Sequence, residues 1–142
     1  MPATLAPFEK TLQRTNQWLD QLKSDLGRDD SQQAYRMLRA VLMALRDRLP
    51  VEEATDLGAQ LPMLIRGIYY EGWNPSKTPT SESTREAFLA HVAENLNPSV
   101  DGDPEQVTRA AFKVLADHVT SGEIEHVQGN LPSDLQALWS DS

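Results

Sequence analysis

The same unit occurs twice in this chain, seventy positions apart and without a gap. Set against each other, "LRAVLMALRDRLPVEEATDLGAQLPMLIRGIY" and "TRAAFKVLADHVTSGEIEHVQGNLPSDLQALW" pair Arg39 with Arg109, Leu45 with Leu115, Asp47 with Asp117, Glu53 with Glu123 and Pro62 with Pro132. Like-for-like apolar pairs extend the match: Leu42 with Phe112, Leu57 with Val127, Ile65 with Leu135 and Tyr69 with Trp139. Upstream, Trp18 falls on Phe88 and Leu19 on Leu89. A duplication constrains architecture before any chemistry is considered. The repeated positions are those that a helical core and its caps need, and no reactive constellation repeats with them.

Two halves of this size would each bury too little surface to stand alone, so they are expected to share one core within a single domain, 1–142. The apolar fraction of 39% and charged fraction of 24% are those of a globular chain. A net charge of −8 argues against a nonspecific phosphate-backbone binder, which needs clustered Lys and Arg. With no cysteine there is no disulfide framework, thiolate nucleophile or Cys-ligated metal, a composition suited to a reducing compartment. The start, "MPATLAPFEK", lacks the basic segment and apolar run of a signal peptide, and no stretch nears the length of a membrane span. The expected location is cytoplasmic.

Hydrophobic periodicity is helical nearly throughout, which predicts an all-α compact bundle of two tandem pseudo-symmetric repeats of three to four helices each. The first repeat covers about 7–70, a linker 71–82 and the second repeat 83–139. A first helix is expected from Pro7 to Leu26, with Leu12, Trp18, Leu19, Leu22 and Leu26 on one side and Gly27 as its stop. Ser31 or Asp30 caps a second helix, and Pro50 ends it. "VEEATDLGAQ" and "PMLIRGIYY" form two shorter helices. In the second half Ser83 with Glu86, Asp103 with Pro104, and Thr120 with Glu123 are helix starts. "EGWNPSKTPTSES" reads as the linker and "NPSVDGD" as a turn-rich loop.

Read as one block, "AYRMLRAVLMALRDRLPVEEATDLGAQLPMLIRGIYYEGW" resembles the signature of the bacterial domain-of-unknown-function 2267 family, an "LP" turn followed by an apolar helix, a "YY" pair and "GW". "GNLPSDLQALW" is similar to a weaker second copy that lacks the "YYEGW" tail. The resemblance implies no activity, cofactor or catalytic residue, so nothing functional is carried over.

Glu53 and Glu123 are the repeated acids most open to a chemical role: two symmetry-related carboxylates meeting between the halves could bind a metal or act as an acid/base pair. Each also lies about three residues into a helix, where a glutamate caps free amides, and we favour that role. Glu123 with His126 makes one Glu-x-x-His, the spacing of ligands in di-iron bundles, but no second such motif exists. Glu53, Glu123 and His126 are thus weak metal candidates. His91 and His118 are expected to be solvated or singly hydrogen-bonded. Arg39 and Arg109, repeated alongside Asp47 and Asp117, are expected to form symmetric interhelix ion pairs. No serine lies in a nucleophile elbow and no glycine-rich phosphate loop is present, so no catalytic residue and no cofactor are assigned.

Tyr70 and Trp73 have no counterpart in the second half and sit beside Arg66 at the mouth of the linker. Such residues are enriched at interface hot spots, and Arg66, Tyr70 and Trp73 are the expected partner-binding set. The competing expectation is that Trp73 folds back to seal the seam between the halves. The function read from the sequence is a non-catalytic protein-interaction or adaptor module, engaging a protein partner or its own copy. The alternative is a ligand- or metal-binding helical bundle, or an enzymatic one, with its site between the repeats.

Overall fold

Short-range signals place most of the helix ends. In the computed structural model, which describes residues 5–140, α1 (Ala6–Leu26) carries Pro7 in its first turn and stops at Gly27. The φ of 65° at Gly27 lets the N–H groups of Gly27 and Arg28 turn back onto the carbonyls of Ser24 and Lys23. The Asp30 carboxylate then caps α2 (Ser31–Arg48) by accepting from the N–H groups of Gln32 and Gln33. Pro50 and Pro62 immediately precede α3 (Val51–Ala59) and α4 (Met63–Tyr70). After a 3₁₀ turn at Pro75–Lys77 come α5 (Arg85–Ala93), α6 (Pro98–Asp101), α7 (Pro104–His118), α8 (Ser121–Gly129) and α9 (Ser133–Gln136), the last running into a 3₁₀ turn at Ala137–Trp139. The described residues contain no strand, and the fold is all-α. The outermost residues of the expected domain, 1–4 and 141–142, lie outside them.

The helices α2, α3 and α4 recur in the same order as α7, α8 and α9. Shifted by the sequence offset, α3 falls on α8 from end to end, α2 and α7 finish together, and α4 and α9 begin together. Leu45 and Leu115 are both fully buried. The halves differ at their first helix: residues 6–14 of α1 fall on 76–84, which are the linker, so α5 matches only the later part of α1.

The core is built around α2, which packs against α1, α4, α5 and α7. Met37, Leu38, Val41, Leu42 and Leu45 are buried along it, together with Leu49 just beyond its end, and each such side chain removed from water stabilises the fold by roughly 1.5–3 kcal/mol. Phe112 of α7 stacks on Trp139 at 4.1 Å and tilts against Phe88 of α5 at 6.1 Å, joining the second half to the same cluster. Helices α3 and α8 pack against each other.

Four local expectations are corrected. The cap of α5 is Thr84, whose hydroxyl accepts from the Ala87 N–H, because the helix starts one residue later than a Ser83 cap requires. "NPSVDGD" contains the single-turn helix α6, held by Asp101, which is fully buried and accepts from Arg36, Gln33 and the Asn97 N–H. Leu12 is 48% exposed, since α1 begins before the body that covers its later turns. Arg39 pairs with Glu71, and Arg109 with Glu105 and the carbonyls of Ala137 and Ser140, so neither reaches Asp47 or Asp117. The linker is tied down at two points: Thr80 N–H donates to the Asp47 carbonyl and Arg48 Nε to that of Glu82.

Candidate functional site

The packing of α3 on α8 brings Glu53 and Glu123 within hydrogen-bonding reach of each other. Each side chain is half-buried, and each has an Oε2 atom that is shut away from solvent without a donor. The other oxygen of Glu53 accepts from Asn130 Nδ2 at 3.0 Å. Burial, the hydrogen bond to Glu53 and the negative charges of Glu53 and Asp56 together push the Glu123 carboxyl up to about 8. The capping role favoured from the sequence is taken by neither carboxylate among the described residues: the Thr120 hydroxyl accepts from the Glu123 N–H at 3.3 Å, while the Glu123 side chain caps no amide and Glu53 turns to Asn130 instead of to the start of its own helix. His126 is exposed, and its carbonyl accepts from Asn130 Nδ2. Among the described residues no three His, Cys, Asp or Glu side chains group so as to hold a metal ion.

Arg66, Tyr70 and Trp73 are all engaged within the fold. Arg66 donates through Nε to the Gly58 carbonyl and through Nη2 to that of Leu61, closing the C-terminal end of α3. Gln136 does the same for α8, donating to the carbonyls of Gln128 and Leu131 at the corresponding positions. Tyr70 and Trp73 are partly buried against the core and stack on one another at 5.4 Å. Tyr69 is fully buried beside them and donates to the Ala54 carbonyl at 2.6 Å. This corner has Trp73 folded back onto the core.

Of the two histidines expected to be solvated or singly hydrogen-bonded, exposed His118 fits the expectation and His91 does not. His91 lies between two acids, with Nδ1 3.1 Å from Glu82 and Nε2 3.6 Å from Asp47. The hydrogen bond to Asp47, and after it that to Glu82, outweigh burial and push the imidazole up to about 9. His118 stacks on Trp18 at 5.1 Å and bonds to Gln21.

Sequence reading missed the most accessible apolar feature. A groove of about 510 Å³ runs between the early turns of α1 and α4, lined by Phe8, Thr11, Leu12, Met63, Leu64, Gly67, Ile68 and Glu71. Phe8 is 50% exposed and Met63 54%, with Leu64 at 41%. The walls are joined where the Thr11 hydroxyl accepts from the Leu64 N–H at 2.9 Å, satisfying an amide at the start of α4 that Pro62 leaves uncapped. Gly67 has open space where a side chain would stand. A signal for this groove exists in the repeat itself, because residues 6–14 align with linker and have no second copy to cover.

No helix among the described residues is long and apolar enough to cross a membrane. No curated protein matches the chain at a significant level. The profile of one conserved family spans residues 15–138, most of the chain and nearly the whole of both halves. The chain therefore belongs to the family described as uncharacterized conserved protein (DUF2267).

Proposed function

We propose that this chain is a non-catalytic helical interaction module, cytoplasmic in keeping with its cysteine-free composition, that takes the apolar face of a protein partner's helix into the groove between α1 and α4. One observation carries the reading: exposed large apolar side chains from two different helices gather around a groove whose walls are already fastened together. Helix-in-groove recognition uses such a surface, with apolar anchors spaced at i, i+3 and i+7. Arg66, Tyr70 and Trp73, the partner set expected from the sequence, act here from behind, by fixing α3 and α4. The test is titration of the isotope-labelled chain with a synthetic amphipathic helical peptide of unrelated sequence that carries leucines at those spacings. Amide shifts confined to residues 8–12 and 63–71, and lost in Gly67→Glu, support the proposal. Binding unaffected by Gly67→Glu, or no binding, overturns it.

A ligand or metal site between the halves is the second reading, favoured by the meeting of Glu53 with Glu123. It has two carboxyls, and among the described residues no third His, Cys, Asp or Glu groups with them so as to hold a metal ion. Stoichiometric metal in the purified protein would move this reading to the front.

A further inference from the structure

The chain carries, next to its groove, a ligand of the kind the groove fits. Phe8 and Leu12 stand at i and i+4 in the first turns of α1 and are 50% and 48% exposed, and Leu5, the N-cap residue just ahead of them, is 62% exposed. The two helical residues share one side of the helix as a short stripe, and Leu5 leads into it. Phe8 and Leu12 are also a wall of the groove, so ridge and furrow adjoin on the same surface. Two copies related by a two-fold axis can then exchange contacts, each stripe entering the other's groove. We propose that the occupant of the groove is a second copy of this chain, and this rests on the groove being a docking site.

Charge permits the pairing. The chain as a whole is at −8, which opposes self-association, but the charges bordering this patch are of both signs. Glu71 at the groove is paired with Arg39, and Lys10 and Arg14 line the adjoining cleft with Met63. Acids farther than about 10 Å from the patch are largely screened at physiological salt. Gly67 contributes by what it lacks: without a side chain on the groove floor, a facing helix can approach α4 closely.

Sedimentation equilibrium of the full chain over a wide concentration range tests the inference with two variants that leave the body of the fold alone. Gly67→Glu places a charge on the open groove floor, and Leu5→Glu places one at the head of the stripe, at a residue outside the groove lining. The wild type is expected to dimerise, and each variant to weaken the dimer by about tenfold or more, the effect of losing an anchor, with no loss of stability in melts at a concentration where the chain is monomeric. An equimolar mixture of the variants should associate better than either alone, because one copy keeps an intact stripe and the other an intact groove. A wild type that stays monomeric, a dimer indifferent to both variants, or a mixture no better than its components overturns the inference. If a monomeric wild type still binds the unrelated helical peptide, the groove reading survives and only the second copy is lost. If it does not, both fall together.

Discussion

Glu53 of α3 and Glu123 of α8 put one buried, donor-less oxygen each into the same helix seam, where burial and the neighbouring Glu53 carboxyl push the Glu123 carboxyl up. With the Glu123 carboxyl raised from 4.5 to about 8, the folded chain keeps a proton that the unfolded chain releases. This contribution is undiminished below pH 4.5 and is lost as pH rises toward 8. Urea denaturation at successive pH values should show stability falling across that window. Glu123→Gln should flatten the fall, since the amide stays neutral, and an equally steep fall in this variant would remove the seam as its source.

His91 adds a second slope of the same sign. Its raised value, about 9 against 6.5, favours the protonated ring in the folded chain, so its contribution is fully present below 6.5 and is lost as pH rises through 9. The ring bridges Asp47 of α2 to Glu82 ahead of α5. NMR titration should find the His91 imidazole raised to about 9, and Asp47→Asn should bring it down. A His91 titrating near 6.5 in the wild type would contradict the bridge.

Two helical glycines should respond oppositely to alanine. A methyl on Gly58 would lie 2.7 Å from Cζ of Tyr70, whose ring is held between Tyr69 and Trp73, so Gly58→Ala should cost about 1–3 kcal/mol. Gly67 meets nothing within 4 Å, and Gly67→Ala should gain up to about 1 kcal/mol from helix propensity. Thermal or urea melts of both variants, at a concentration where the chain is monomeric, decide the point. Equal effects would show that the Gly58 contact is not limiting.

Trp73→Ala should lower stability by about 2 kcal/mol, below the range for a fully buried tryptophan because the side chain is half-buried. Association of the folded fraction should not change. Denaturation paired with sedimentation separates the two effects, and weakened association without loss of stability would return this corner to the role of a partner site.

What was legible in the sequence was what short stretches decide. Gly27, Asp30, Asp103 with Pro104, and Thr120 act on residues two to five positions away, and the structure uses each as read. What was missed depends on distant partners. Asp101 organises α6 only because Arg36 and Gln33 of α2 come to it, and nothing in "NPSVDGD" announces them. Leu12 has the spacing of a core residue and fails to be one because α1 outruns the body that buries Trp18 and Leu22. The pairing of Glu53 with Glu123 was foreseeable from the offset. Its protonation was not, because that depends on how tightly α3 and α8 close around it.

The early turns of α1 have no equivalent in the second half, and that inequality sets a valency. A molecule whose halves matched completely would display any docking surface twice, on opposite sides, and two adhesive faces per subunit link subunits into open chains. Because residues 76–84 are connector where residues 6–14 are helix, the groove and its stripe are built once among the described residues. A single self-complementary face is satisfied by one neighbour, so growth stops at a pair. The inequality of the two halves would then be what limits association of this chain to pairs.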